Sequence, residues 1–248
     1  MDPSDHMVLE YIRKYHLFPP ENLPYAFDSP IEQLDGQSPQ GLPIAEVTNF
    51  KKNGFFIECG ANDGEFFANT LGLEIGSSWT GLLIEASPNL FQKMKRKHRK
   101  AWLSDVCLSG EIERIEFLKS TLNDNPWRVG QGKINPGRKY KLPAYLGEPI
   151  DLNRHEVEGV VECFPLQSIL WAMNLKTVDF FSLDVEGHEY QILKDFPFQS
   201  FDIKVVLAVE HWVAVEGKEA IRSLLLSNGY HLQFESESDF IFVKNKIK

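Results

Sequence analysis

The sequence predicts an α/β protein built on a doubly wound, mostly parallel sheet that carries an antiparallel hairpin at its C-terminal end. Three observations predict it. Continuous apolar runs at residues 55–58, 82–85, 101–106, 180–184 and 205–210 end in acidic or small residues and alternate with helical stretches, as strands buried on both faces do. Residues 230–234 and 240–244 flank Glu235-Ser236-Glu237-Ser238-Asp239, a polar connection short enough for an antiparallel hairpin on the sheet edge. Directly after the first run, Gly60-Ala61-Asn62-Asp63-Gly64 forms a tight glycine turn at the place where doubly wound folds receive their ligands.

The other elements follow in chain order. Residues 1–50 hold one amphipathic segment, 7–15, and then prolines at 19, 20, 24, 30, 39 and 43, which remove donors and fix φ. They read as an arm with one short helix, laid over a domain formed by residues 51–248. Ser87-Pro88 places a capping hydroxyl before a first-turn proline and opens a helix over 89–97. A second helix, 216–228, stops at Gly229, a residue suited to a left-handed C-terminal cap. Between 109 and 165 the strand-helix rhythm is lost: 112–118 alternates like a strand, and 125–149 is rich in Gly, Pro, Lys and aromatic residues. This is an insertion at the mouth of the sheet, where insertions shape ligand sites.

Composition removes several classes. With 26 Lys+Arg against 35 Asp+Glu the net charge is −9, the wrong sign for holding a nucleic acid through many phosphate contacts. No apolar stretch approaches the ~20 residues of a membrane helix, and the N-terminus lacks an apolar signal core, so a soluble, cytoplasmic chain with no membrane partner is expected. Cys59, Cys107 and Cys163 are odd in number and far apart, which suggests neither a disulfide framework nor a zinc site and fits a reducing compartment. The run 93–100 carries six Lys or Arg and reads as a solvated helix face. His6, His16 and His98 read as surface residues, and His155 as a pocket candidate within the insertion.

The glycine turn is crowded by Glu58, Asp63 and Glu65. It lacks the Gly-X-Gly-X-X-Gly spacing that presents amides to a pyrophosphate, and three carboxylates would repel one, which disfavours a nicotinamide dehydrogenase. A ligand with a cationic end suits them, and S-adenosylmethionine carries both a sulfonium and an ammonium. Glu85, about 20 residues on, ends the second run where an acid accepts from both ribose hydroxyls. Asp105 ends the third, positioned for the adenine amino group, with Val106 against the ring.

The segments FFIECGANDGEFFANTLGLE, WTGLLIEASPNLFQKMKRKHRKAWLSDVCLS, VECFPLQSIL and VDFFSLDVEGHEYQIL resemble the FkbM-type methyltransferase family, in particular its animal, Star-like branch. The similarity spans about residues 54–243 outside the insertion. Its most specific marks are the glycine loop with the following Asn69-Thr70, and Asp184-Val185-Glu186-Gly187. The resemblance implies a class I, Rossmann-like S-adenosylmethionine-dependent methyltransferase fold of seven strands, usually an O-methyltransferase. It completes an expected cofactor set of Glu58, Gly60, Ala61, Asn62, Asp63, Gly64, Asn69, Thr70, Glu85, Ala86, Asp105, Val106 and Asp184, with S-adenosylhomocysteine as the product held there. Star-like relatives are often membrane-anchored, and no such segment is found here.

The fourth and fifth strand ends supply the catalytic candidates. Asp184, Glu186 and His188 lie beside the expected switch point, whereas Glu189 reads as a first-turn acid facing solvent. Glu210 and His211 leave the fifth strand together, and Trp212 follows as a pocket wall. Asp184, Glu210 and His211 are also similarly placed to the metal ligands of catechol O-methyltransferases; a divalent metal is possible there but not favoured. Methyl transfer is an in-line displacement helped mainly by positioning, and a phenol of pKa about 10 is within reach of a histidine base. His211 or His188 is expected to serve. Trp127, Tyr140, Tyr145, Phe164 and Trp212 would wall a small aromatic acceptor. The alternatives are a sugar or carboxylate acceptor, or a non-catalytic, Star-like binding or scaffold protein.

Overall fold

The computed structural model describes residues 2–30, 41–120, 132–134, 155–209, 218–235 and 239–245. Helices α1 (His6–Tyr15) and α2 (Gly41–Val47) precede strand β1 (Phe55–Cys59). Then come α3 (Leu71–Ser77), β2 (Thr80–Ile84), α4 (Pro88–Lys95) and β3 (Trp102–Ser104). The next segment contributes β4 (Cys107–Leu108), β5 (Glu113–Ser120), β6 (Gly132–Ile134) and β7 (His155–Phe164), followed by α5 (Leu166–Ala172) and β8 (Thr177–Val178). The chain continues through β9 (Phe180–Leu183), α6 (Glu189–Leu193), β10 (Asp202–Ile203), β11 (Val205–Val209), α7 (Lys218–Ser227), β12 (Tyr230–Glu235) and β13 (Asp239–Lys244).

The main sheet has seven strands in the order β12-β13-β11-β9-β1-β2-β3. Strands β3, β2, β1, β9 and β11 are mutually parallel, and β13 runs antiparallel between β11 and β12. The expected terminal hairpin is present. Because successive side chains of a strand point to opposite faces, the five parallel strands bury both. Ile57, Leu82, Phe181 and Val206 face a core shared with α1, α5, α6 and α7, and Phe56, Leu83, Phe180 and Val205 face one shared with α2, α3 and α4. The helix punctuation also holds: the Ser87 hydroxyl accepts from the Leu90 N–H at 3.2 Å, and Gly229 sits at φ +84°.

From β1 the chain winds outward to β2 and β3 and then returns to β9 on the other side of β1. The carboxyl ends of β1 and β9 therefore carry connections that diverge, which opens the crevice of a topological switch point.

The lost rhythm corresponds to a second sheet, ordered β4-β7-β5-β6. It overturns one expectation, because Cys107 and Cys163 form a disulfide. Their separation of 56 residues gave no spacing signal; the parallel register of β4 with β7, Cys107 opposite Cys163, brings them together. With these two cysteines paired, cysteine usage no longer points to a reducing compartment. Cys59 is free and buried.

The basic run is corrected as well. Helix α4 ends at Lys95 and the chain reverses through His98 at φ +52°, so two of the cations turn inward. Lys97 is 4% exposed and Arg99 1%. The Lys97 ammonium lies 2.6 Å from both Asp28 and Glu65 carboxylates, and the Arg99 guanidinium pairs with buried Glu74 at 3.0 Å while also bonding the Gly64 carbonyl and Thr70 hydroxyl. Lys97 helps to fasten the N-terminal arm. Phe18 exchanges backbone bonds with Leu103, the Ala26 N–H donates to the Lys97 carbonyl at 3.1 Å, and His98 meets Glu21 at 2.8 Å. Val8 and Ile12 bury one face of α1, and the Arg13 Nε donates to the Ala172 carbonyl at the end of α5. Among the described residues no helix is long and apolar enough to cross a membrane.

Closing a loop of this length restricts the unfolded chain by about 4 kcal/mol. Cys107→Ser with Cys163→Ser is expected to lower unfolding free energy by that order in denaturant titrations, and dithiothreitol should lower the wild type alike. Unchanged midpoints in both would show that the cross-link carries no stability.

Candidate active site

The site begins with a backbone contact. Gly60 follows β1 at φ +82°, and a Cβ placed on it would stand 1.8 Å from the Asp184 carbonyl oxygen; only glycine lets the two strand ends approach so closely. Around it the Gly60 and Ala61 N–H groups both donate to the Ile84 carbonyl (3.0 and 3.1 Å), and the Asp184 N–H donates to the Cys59 carbonyl at 3.0 Å. The ends of β2, β1 and β9 are thereby tied into one edge. Gly64, at φ +78°, has no room for a Cβ either, since Met94 Cγ would lie 2.9 Å away.

The carboxylates around the turn have partners within the chain. Glu58 braces the next segment, accepting from the Asn69 N–H at 2.7 Å and from the Thr70 hydroxyl; burial still pushes its carboxyl up. Asp63 closes the turn, with Oδ1 accepting from the N–H groups of Glu65 (3.0 Å) and Phe66 (2.7 Å). Glu65 is turned toward the arm, where it accepts from Asp28 and Ser29 N–H groups at 2.8 and 2.7 Å.

Glu85 keeps its place at the end of β2. It accepts from the Asn62 and Ser87 N–H groups at 2.8 and 2.7 Å, and Asn62 reaches this geometry by adopting φ +54°. Burial raises the Glu85 carboxyl to about 7. Ala86 packs against the second sheet. Asn69 donates its Nδ2 to Ser182 Oγ on β9 at 3.1 Å, while its buried Oδ1 has no donor among the described residues. Beyond β3, Asp105 Oδ1 lies 2.7 Å from His16 Nδ1, and Val106 is fully buried in the core.

After β9 the chain bends sharply through Glu186 at φ +57° and Gly187 at φ +99°. Glu189 holds this bend and does not face solvent as expected: it is fully buried, and its Oε1 accepts from the Val185 and Gly187 N–H groups at 2.9 and 3.3 Å. Burial raises its carboxyl to about 7. A capping argument would have found it, since an acid two residues past the glycine of a strand-to-helix bend is placed to receive the N–H groups that the bend exposes. His188 is partly buried, and desolvation, aided by Lys194, lowers it to about 4.

Two other residues were not singled out as site residues. Glu158 on β7 accepts from the Ser87 hydroxyl and the Asn89 N–H at 2.7 and 2.8 Å and so braces the loop that carries Glu85. His16 is enclosed between two carboxylates and is not a surface residue. Phe164 is buried in the core, its ring tilted against that of His16. Glu210, His211, Trp212, Trp127, Tyr140 and Tyr145 lie outside the described residues, as does the side chain of His155. No metal-binding cluster of three acidic, histidine or cysteine side chains occurs among the described residues.

A seven-stranded sheet of this order, with its glycine turn at the switch point, defines a class I methyltransferase fold. Residues 58–232 match the model of the methyltransferase FkbM domain, and the chain belongs to that family. Among solved structures it is similar to the FkbM methyltransferase of Methylobacillus flagellatus KT, at 13% identity and TM-score 0.46, over 77% of this chain and 43% of that one. It therefore spans less than half the length of that relative. It is also similar to the METTL16 methyltransferase domain (11% identity, TM-score 0.46, 97% and 79% of the two chains). A third is a SAM-dependent methyltransferase from Aquifex aeolicus (12%, TM-score 0.37, 88% and 96%). No curated protein matches the sequence.

The raised carboxyl of Glu189 has a consequence for stability. Its proton is held more tightly in the folded chain than in the unfolded one, so the stability it lends is complete below pH about 4.5 and is lost as pH rises through about 7. Glu189→Gln, which stays neutral, is expected to be more stable than wild type at pH 8, by an amount on the order of 3 kcal/mol, and no more stable at pH 4.5. Equal differences at both pH values in thermal melts would contradict this role.

Proposed function

We propose that the protein is an S-adenosylmethionine-dependent O-methyltransferase acting on a hydroxyl of a small, phenolic acceptor. The observation that carries this reading is the glycine turn pressed against the Asp184 carbonyl at the switch point. In this reading the Glu85 carboxyl takes two ribose hydroxyls, Asn69 Oδ1, which has no donor among the described residues, takes the ammonium, and Asp105 beyond β3 takes the base. In this reading residues 51–248 form the methyltransferase unit and residues 1–50 its arm.

A bound cofactor would supply a methyl group on a sulfonium, with a neutral thioether as the leaving group. The protein must align that oxygen and receive its proton. His188, lowered to about 4, is neutral at pH 7, but it is about six units too weak a base for a phenol. The role therefore passes to His211, beside Glu210, with His188 as an uncharged wall near the methyl. Asp184 orients the methionine ammonium or the acceptor, and Trp127, Tyr140, Tyr145 and Trp212 supply aromatic walls. A disulfide between Cys107 and Cys163 favours an oxidising compartment over the cytoplasm.

Calorimetric titration with S-adenosylhomocysteine is expected to give a dissociation constant of about micromolar order. To accept from hydroxyls Glu85 must be ionised, so affinity should rise roughly tenfold between pH 6 and pH 8 as its carboxyl, at about 7, loses its proton. In Glu85→Gln the affinity should be lower and this pH slope should disappear. His211→Ala should keep the affinity and lose turnover of phenols. No binding by well-folded wild type would overturn the reading and favour the scaffold alternative.

A further inference from the structure

One side chain of the N-terminal arm reaches the end of β3. His16, which closes α1, has a side chain only 12% exposed. Its Nδ1 lies 2.7 Å from Asp105 Oδ1 and its Nε2 lies 2.8 Å from Glu162 Oε2. A carboxylate only accepts, so a ring bonded to one at each nitrogen donates from both and is an imidazolium. The groups around it are few. From α1 the Tyr11 hydroxyl donates to Glu162 Oε2 at 2.9 Å, and from β5 the Arg114 Nε lies 3.2 Å from Glu162 Oε1. The Tyr11 and Phe164 rings stand 5.3 and 5.6 Å from the imidazole. Burial opposes the charge, and the two carboxylates outweigh it, so the imidazolium is favoured on balance.

The segments that carry those carboxylates are tied together by a disulfide. Asp105 lies two residues before Cys107 and Glu162 one before Cys163, and these cysteines form the disulfide across β4 and β7. Asp105 is also one residue past Ser104, whose carbonyl accepts the Glu85 N–H at 3.0 Å. Asp105 thus stands in the link from β3 of the main sheet to β4 of the second, beside Glu162 on the neighbouring strand β7. Asp105 Oδ1 is taken by His16, whereas no donor among the described residues bonds Oδ2, and the side chain is 35% exposed.

We propose that His16 is a positioning residue of the cofactor site: it holds Asp105 Oδ1 so that Oδ2 accepts from the 6-amino group of adenine, and the N-terminal arm thereby takes part in reading the base. This rests on the methyltransferase reading above. Asp105 touches the cofactor and His16 acts through it. Without the imidazolium the Asp105 carboxylate is free to rotate toward water and loses its fixed aim at the amino group.

The test compares S-adenosylhomocysteine with its analogue carrying oxygen in place of the 6-amino group, both titrated calorimetrically. Wild type is expected to prefer the amino form by about tenfold or more, as a charge-assisted bond to that group implies. In Asp105→Asn and His16→Gln the preference should fall below about threefold, chiefly through weaker binding of the amino form. His16→Lys keeps one cationic donor for Asp105 and should retain the preference, a rescue that a packing role would not give. If His16→Gln leaves the preference intact, or weakens both ligands equally, the inference is overturned while the methyltransferase reading stands. Wild type that binds neither ligand overturns both.

Discussion

The close approach of Gly60 to the Asp184 carbonyl is the constraint on which the rest of the site depends. In a doubly wound sheet the crevice exists because the connections after two neighbouring strands diverge. It holds a ligand only if the strand ends themselves stay together. Here a side chain at position 60 would overlap the carbonyl. The residue there must therefore lack a Cβ and take a positive φ, and both demands select glycine. Once that contact is made, the Gly60 and Ala61 amides fall on the Ile84 carbonyl and the Asp184 amide on the Cys59 carbonyl. One steric requirement thus sets the relative height of three strand ends, and with it the positions of Glu85, Asn69 and Asp184.

The electrostatics follow from how the buried acids are satisfied. Glu85 and Glu189 bond backbone N–H groups, and these bonds do not offset burial, so both carboxyls rise to about 7. Glu65 also accepts backbone N–H groups but has a full cation beside it in Lys97, and its carboxyl is lowered. The difference separates two kinds of acid. Those with cations fasten the arm and the α4–β3 corner, whereas those with dipoles alone stand near their proton-loss point at the crevice, where a small change in surroundings changes their charge.

The sequence made the parallel sheet, the hairpin, the Ser87 cap and the glycine turn legible, because each depends on local pattern or on a residue type with one conformational use. It misled where a pattern had two physical readings. A basic run after Phe91 reads as a solvated face, yet the helix ends at Lys95 and sends Lys97 and Arg99 inward to acids that lie 25 or more residues away in sequence. Cys107 and Cys163 read as unpaired because only the register of β4 with β7 brings them together. Glu189 reads as a surface acid in the sequence, although the bend before it leaves N–H groups that require an acceptor. Glu58, Asp63 and Glu65 each have partners within the chain that no local pattern announces.

The second sheet and the arm act on the same edge from different sides. Glu158 on β7 bonds the Ser87 hydroxyl and the Asn89 amide, which steadies the turn behind Glu85. Glu162, four residues further along the same strand, holds His16. One strand therefore supports both the turn that carries Glu85 and the pair of His16 with Asp105, and the disulfide at Cys163 ties it to the segment that follows β3. A displacement of β7 would be felt at both together. Such a coupling has a physical warrant, because it runs through direct hydrogen bonds and a covalent bond and not through proximity alone. The insertion thus contributes to the geometry of the sheet edge, and the arm is held in part by a charge that the insertion presents at Glu162.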